Sequence, residues 1–251
     1  MNISRVGVDL AKNVFQIHAT DARGKVIWKR KLSRERWIEA ICTKVPDGCQ
    51  IGMEACAGAH HWARRLSEHG FEVKLIPPQF VTPYVKSNKN DANDAEAICE
   101  AMSRPNMRFV KVKTVEQQDI QAIHRMRSEL MTQRTAKMNQ IRGLVAEYGL
   151  VAPTRVYSLR KALPLWLEDA ENGLTDRFRR LLHELWRDLR YMEERIADLD
   201  AEIREVANTD PMAVRLQQLR GVGPLIAQHL LQALEMALNL QRADRWQRLL
   251  V

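Results

Sequence analysis

The chain contains 251 residues, enough for one large domain or two ordinary ones. Hydrophobic residues make up 45% of it, so a core can form without disulfides or structural metals. The formal net charge of +8 favours a polyanionic partner, because lysine and arginine release counterions from phosphate. No run of about 18 apolar residues and no signal-peptide pattern occurs, which predicts a cytoplasmic protein without a membrane span. The four cysteines form no CxxC pair, which argues against a zinc site.

The first hundred residues alternate between the period-2 pattern of strands and the 3.6-residue pattern of helices, which is typical of an α/β domain. Three strands separated by short turns come first and predict an antiparallel meander. A helix capped by Ser33 follows, and Pro77-Pro78 ends the last strand. Three strands, then helix, strand, helix and strand, is the order of the RNase H-like fold. The predicted strands cover 5–10, 14–20, 25–32, 50–54 and 71–76, and further helices cover 59–69 and 91–102.

The second half of the chain is charged and favours helices. Residues 115–148 and 175–207 predict two long helices, and Pro153 and Pro164 frame an irregular connector between them. Apolar residues recur at steps of three and four in the second helix, so we expect an antiparallel coiled-coil hairpin, with a plain helical bundle as the alternative. These residues are Leu181, Leu185, Leu189, Met192, Ile196, Leu199 and Ile203.

A glycine-rich turn follows in the segment LRGVGPLIAQHLL. It has the form of a helix-hairpin-helix, in which backbone N–H groups beside Gly221 and Gly223 would meet a phosphate at a helix N-terminus. The motif is short and therefore only moderately specific.

Four carboxylates stand out by their positions. Asp9 ends the first strand, Glu54 ends the fourth, and Asp91 and Asp94 lie three residues apart on one face of a helix. Clustered carboxylates repel one another unless a divalent cation neutralises them, and Mg²⁺ prefers such oxygen ligands. The small Gly7 is expected to leave room beside Asp9 for a nucleic-acid backbone. Each feature alone also fits a turn or a helix cap, but their order along the chain indicates a two-metal phosphoryl-transfer site.

The motifs VGVDLAKNVFQIHA, MEAxxGAHHWARxL and SNKNDANDAEAICEA resemble those of the IS-110 family of transposases. The resemblance extends from Ile3 to about Leu234. It implies an RNase H-like, RuvC-type domain with a mixed sheet, whose DEDD tetrad of catalytic metal ligands is Asp9, Glu54, Asp91 and Asp94. It further implies a long helical coiled-coil arm, Mg²⁺, DNA as substrate, a structured bridge RNA as guide, and dimers or tetramers.

The family also implies a C-terminal domain with a nucleophilic serine, and the sequence departs from its pattern after GVGP. A two-base shift near Leu234 would restore a family-like reading, so a frameshift and a truncated chain, inactive by itself, are our hypothesis. We then expect the apolar residues of 236–250 to be partly exposed. The predicted domains are an RNase H-like domain over 1–114, a helical coiled-coil region over 115–210 and a partial helical C-terminal domain over 211–251.

Several polar residues are candidates for contact with nucleic acid. Lys12 follows the first aspartate and could contact a phosphate, and a basic run precedes the aspartate pair. A solvated surface is the alternative for both. The basic stretch in the first long helix has the same two interpretations, and His60 and His61 are more consistent with packing than with metal binding. The candidates in the basic run are Lys86, Lys89 and Asn90, and those in the long helix are Arg125, Arg127, Arg134, Lys137 and Arg142.

Three functions therefore stay open at the level of sequence. The first is a transposase that cleaves and exchanges DNA strands with Mg²⁺. The second is an RNase H-like junction resolvase, in which the tetrad and water suffice. The third is a fragment that binds nucleic acid or dimerises without catalysis. Metal-dependent cleavage that Asp9→Asn abolishes would separate the second from the third.

Overall fold

The first part of the chain folds around a five-stranded mixed sheet in the computed structural model, which describes residues 3–85, 91–152 and 155–238. The chain forms two compact units. The first contains the residues up to Val115 together with the segment that begins at Gln232, and the second spans Glu116–Leu231. The sheet order is β3-β2-β1-β4-β5, with β2 antiparallel to both β1 and β3 and with β1, β4 and β5 parallel. The strands are β1 (Arg5–Leu10), β2 (Val14–Thr20), β3 (Val26–Ser33), β4 (Gln50–Glu54) and β5 (Glu72–Ile76).

One face of the sheet is covered by helices α1 (Trp37–Lys44) and α2 (Ala59–Glu68). Val6 and Val8 of β1 are fully buried in this layer. The rings of Phe15, Trp37 and Trp62 meet edge to face in the same core, with centroids 4.9 to 5.5 Å apart. Aromatic packing of this kind fixes where both helices lie relative to the central strands.

The opposite face of the sheet is covered by helix α4 (Asp91–Met102), which follows the short helix α3 (Pro78–Val81) and a 3-10 turn over Thr82–Tyr84. Gly7 allows a close approach: a Cβ atom built there would clash with the Ala95 carbonyl oxygen and lie 2.7 Å from the Cys99 backbone nitrogen. Gly52 on the neighbouring strand leaves room for a side chain of α4, because a Cβ there would lie 2.9 Å from the sulfur of Met102. Gly7 therefore lets the helix backbone rest directly on the sheet, and Gly52 lets the helix side chains pack against it.

Two side-chain contacts give the direction of α4. Glu96 Oε2 lies 4.0 Å from His18 Nδ1, and Cys99 Sγ lies 3.5 Å from Thr20 Oγ1. Increasing residue numbers in α4 therefore follow β2, which is antiparallel to β1. The first turn of α4 consequently lies toward the carboxyl end of β1.

The second unit is helical. It contains α5 (Val115–Ala146), α6 (Val156–Glu168), α7 (Asp176–Thr209), α8 (Pro211–Gln217) and the start of α9 (Pro224–Leu238). Arg127 pairs with Asp200, and Lys137 Nζ lies 3.3 Å from Asp188 Oδ2. The later residue of α5 thus pairs with the earlier residue of α7, so the two long helices are antiparallel. Their shared core contains Met138, Ile141, Val145, Leu159, Leu163, Leu174, Leu182 and Leu189.

The structure corrects three sequence predictions. The connector is not irregular, because α6 continues through Pro164; burial of Leu159 and Leu163 against α7 offsets the roughly 3 kcal/mol that an internal proline costs. Leu181 is 51% exposed, and its neighbour Leu182 occupies the core position. Ser33 ends β3 in register with Val14 and does not cap α1.

Other predictions concern the surface and the chain end. None of the helices in the described part of the chain has the length and apolar character needed to cross a bilayer. Cys49 and Cys99 are buried, Cys56 is half-buried and Cys42 is exposed, and all four are free thiols. The predicted exposure of residues 236–250 falls outside the described side chains.

Candidate functional site

Asp9 and Glu54 end two neighbouring parallel strands. Val8 pairs with Met53 between β1 and β4, and Asp9 and Glu54 are the next residues of each strand. Paired strands lie about 4.8 Å apart, so the two backbones stand one strand spacing from each other. Since Val8 and Met53 are buried on the face of α1 and α2, alternation directs the two carboxylates to the opposite face, which α4 covers.

The charges of both carboxylates affect the pKa of the Cys56 thiol, which lies just after β4. Burial raises the pKa of this thiol most, and the charges of Glu54 and then Asp9 raise it further. The strand register accounts for this shared effect, since β1 and β4 place the two acids at the same edge of the sheet. The structure thus brings together two of the four predicted ligands.

Helix α4 supplies the other two predicted ligands. It begins at Asp91, and Asp94 lies in its first turn and is half-buried. As α4 runs opposite to β1, that turn is directed to the edge where Asp9 lies. The Asp91 side chain is outside the described residues. Among the side chains that are described, no three His, Cys, Asp or Glu residues form a group that would hold a metal ion.

Basic residues border the turn after β1. Lys12 is exposed in this turn, and its carbonyl oxygen accepts a hydrogen bond of 3.3 Å from Arg34 Nη1. The Arg34 guanidinium also lies 5.0 Å from the centre of the Trp62 ring. Sequence reasoning did not identify Arg34, since nothing in its local sequence links it to a residue 22 positions away. The other predicted contacts, Lys86, Lys89 and Asn90, lie outside the described residues.

The histidines of α2 have structural partners. His60 Nδ1 accepts the backbone N–H of Lys113 at 3.1 Å, which requires a neutral ring. Burial lowers the pKa of His60, and the charges of Lys113 and Arg64 lower it further. His61 packs edge to face with Trp62 at 4.8 Å between centroids. Both contacts agree with the packing role that the sequence favours for these residues.

The predicted phosphate turn lies between α8 and α9. Gly221 has φ of 88°, a conformation that side chains disfavour, and space around both Gly221 and Gly223 is open. The Gly223 carbonyl accepts from Ala227 N at 2.9 Å and so begins the hydrogen bonding of α9. The local conformation leaves this turn accessible to a ligand.

Most of the basic stretch in α5 is engaged inside the helical unit. Arg127 and Lys137 form the ion pairs with α7 described above, and Arg142 donates to the Asn139 side chain at 3.1 Å. Arg127 and Lys137 join α5 to α7, which is a different role from the nucleic-acid contact that the sequence left open, and the Arg142 bond lies within α5. Arg125 is exposed on the same helix.

Comparisons with known proteins define the class of protein as a transposase. A model of DEDD transposases, described as a transposase, matches residues 6–150. A probable family 20 transposase of Pseudomonas aeruginosa is 46% identical over 228 residues, covering 90% of this chain and 67% of that protein. The transposase for insertion sequence element IS1111A of Coxiella burnetii is 46% identical, covering 90% and 62%. The transposase for insertion sequence element IS1328 of Yersinia enterocolitica is 38% identical, covering 90% and 66%.

The chain therefore belongs to the IS110 family of DEDD transposases. It spans about two thirds of the length of these curated relatives. The family match covers the sheet, α4 and α5, and thus includes all four predicted acidic ligands.

Proposed function

We propose that residues 1–114 form an RNase H-like, RuvC-type domain that binds divalent metal ions and cleaves DNA during transposition of an insertion sequence. The metal ligands are Asp9, Glu54, Asp91 and Asp94. The observation that carries this proposal is the meeting of two strand ends and a helix start at one edge: β1 and β4 end there side by side, and α4 points its first turn to it.

The residues at this edge fit a hard divalent cation. Asp9 and Glu54 offer carboxylate oxygens on adjacent strands, and Mg²⁺ prefers oxygen ligands. Two carboxylates on adjacent strands repel each other, and a bound cation would remove that repulsion. When bound, such an ion polarises phosphoryl oxygens and makes a water or hydroxyl group a better nucleophile. The carboxylates would position this ion at the sheet edge.

The rest of the chain would bind nucleic acid and form the contacts between protomers. We propose that residues 115–210 form a coiled-coil arm and that residues 211–251 begin a helical C-terminal domain, both serving a homodimer or tetramer. The nucleic-acid backbone would be contacted by exposed Lys12 and by the residues before α4, which are Lys86, Lys89 and Asn90. The turn at Gly221 and Gly223 would bind a phosphate. A structured bridge RNA and DNA are the proposed partners, and the reaction is strand cleavage and exchange.

Metal binding tests the proposal directly. Titration of the protein with Mn²⁺, followed by electron paramagnetic resonance, should yield a saturable site in the wild type. Asp9→Asn and Glu54→Gln should each weaken it by at least about tenfold, because even an outer-shell partner of a metal site contributes that much. Asp47→Asn is the matched control: it removes an exposed carboxylate in the loop before the amino end of β4, far from Glu54. Equal affinity in all four proteins would contradict the proposal.

Cleavage gives an independent test of the same site. A supercoiled plasmid carrying the insertion-sequence end, with the flanking noncoding RNA added, should be nicked only when Mg²⁺ or Mn²⁺ is present. Asp9→Asn should abolish nicking while Asp47→Asn preserves it. Nicking by Asp9→Asn at the wild-type rate would exclude this aspartate from the reaction.

A further inference from the structure

A cavity lies on the α4 side of the first unit. It has a volume of about 400 Å³, within the range of small-ligand pockets. Its lining includes aromatic and apolar side chains together with two arginines and one asparagine. The residues that matter for its chemistry are Phe80, Tyr84, Arg104, Asn106, Met107 and Arg108.

The aromatic and cationic groups are arranged before any ligand binds. The Arg104 guanidinium lies 5.3 Å from the centre of the Tyr84 ring. Its Nη2 donates to Glu100 Oε1 at 2.6 Å, which holds the guanidinium over the ring. Arginine guanidinium groups and aromatic rings are the flat surfaces on which unpaired bases stack in nucleic-acid complexes.

Arg108 supplies charge that the protein does not use internally. Its side chain is exposed, and it forms no ion pair or hydrogen bond with the residues that the structure describes. Two guanidinium groups at the cavity exceed the single carboxylate of Glu100, so the cavity is positively charged. Asn106 adds a carboxamide, which can both donate to and accept from a base edge.

The cavity is connected to the acidic edge by α4. Arg104 lies two residues beyond the end of this helix, and Asp94 lies in its first turn. Twelve residues of helix extend about 18 Å, so the cavity lies at the end of α4 opposite to the acidic edge. Tyr84 also ends the turn that precedes the basic run beginning at Lys86.

We propose that this cavity binds one unpaired nucleotide of a nucleic-acid strand, with its base stacked on Tyr84 and Arg104 and its phosphate paired with Arg108. The inference rests on the proposed function, since the strand is the one whose phosphate reaches the acidic edge. It goes further by assigning a site, one helix length away from the metal ligands, that holds the strand apart from the reacting phosphate.

Crosslinking with 5-iodouracil tests the location. Single-stranded 20-mers carrying this base, made once as DNA and once as RNA, are irradiated with the protein, and the adducts are mapped by mass spectrometry. Adducts on Tyr84 or Phe80 in either series support the proposal, and the series that reacts identifies the kind of strand. Adducts only outside the cavity overturn it. A wild type that binds Mn²⁺ but neither oligonucleotide overturns the cavity proposal and leaves the metal site standing.

Affinity measurements separate stacking from charge. Tyr84→Leu should weaken oligonucleotide binding by at least about fivefold with the same salt dependence, and Tyr84→Phe should bind as the wild type does. Arg108→Ala should lower the slope of log affinity against log salt by about 0.7, the value of one phosphate contact on a single strand. Arg30→Ala is its control: this exposed arginine lies on the edge strand β3 and is not among the residues that line the cavity.

The outcomes are decisive even if Tyr84→Leu does not fold, because Arg108 is exposed and its replacement leaves the core intact. Equal losses of affinity in Arg108→Ala and Arg30→Ala would mean diffuse charge attraction, and the cavity would have no special role. A Tyr84→Phe protein that binds as weakly as Tyr84→Leu would overturn the stacking itself.

Discussion

Replacing Gly7 by alanine tests how closely α4 rests on the sheet. The added Cβ would clash with the Ala95 carbonyl oxygen and lie 2.7 Å from the Cys99 nitrogen and 2.8 Å from the Cys99 Cβ. Ordinary contact begins near 3.4 Å, so α4 must move by about 0.7 Å or more. Backbone atoms cannot rotate aside, and overpacking of this kind costs about 1–3 kcal/mol of unfolding free energy.

The chain offers a matched control for this substitution. Gly143 lies inside α5 with open space around its Cα, so Gly143→Ala should stabilise the protein by about 0.5–1 kcal/mol through the better helix propensity of alanine. If the two substitutions change the free energy of unfolding in opposite directions, the close approach at Gly7 causes the loss of stability, and a general effect of alanine does not.

Labelling of the Cys99 thiol measures the effect where it arises. Cys99 is 4% exposed beneath α4, so its reaction with a thiol reagent requires local opening. A loss of 1–3 kcal/mol should speed labelling by about 5- to 150-fold in Gly7→Ala. Guanidinium unfolding of both variants gives the global free energies. If Gly7→Ala labels and unfolds as the wild type does, α4 does not lie directly on β1 and the assembly of the acidic edge loses its basis.

Two further predictions concern titratable groups. The pKa of His60 is lower in the folded protein than its ordinary value of 6.5. As the pH falls below 6.5, the unfolded chain therefore binds a proton at this histidine more readily than the folded protein does. The free energy of unfolding should keep its full value above pH 6.5 and decrease as the pH drops below it. His60→Asn keeps an acceptor for the Lys113 N–H and should flatten this dependence in urea denaturation at pH 5.5 to 7.5; an unchanged slope would remove His60 as its cause. Burial raises the pKa of Cys49 to about 11, with a smaller effect from Cys99, so at pH 8 exposed Cys42 should react with a thiol reagent and Cys49 only after denaturation. Equal labelling rates for Cys42 and Cys49 in the native protein would contradict the burial described here.

The acidic edge illustrates why local elements and their assembly differ in predictability. The sequence predicts β1, β4 and α4 with the bounds that the structure has, because hydrophobic period and breakers are local properties. It also predicts that Asp9 and Glu54 end their strands. The roles of Asp9, Glu54, Asp91 and Asp94 as metal ligands, the coiled-coil arm and the RNA partner stay predictions, and so do the proposed contacts with nucleic acid.

Gly7 shows where a correct residue was given an incomplete reason. Sequence reasoning assigned its small size to space for a nucleic-acid backbone, whereas in the structure that space is filled by the backbone of α4. A glycine has no side chain to indicate which neighbour approaches it. The identity of the neighbour depends on how the sheet and helix pack.

By itself, the sequence determined the alternation of strands and helices, the family and the order of the acidic residues, since each is encoded over short stretches or in the spacing of motifs. Only the tertiary structure decided that Leu182 and not Leu181 faces the helical core, that Arg34 reaches Lys12, and that Tyr84 meets Arg104. Arg34 and Lys12, and Tyr84 and Arg104, are distant along the chain, whereas Leu181 and Leu182 differ only in the direction in which they leave the helix. Their free energies depend on burial and geometry in three dimensions, which no local pattern contains.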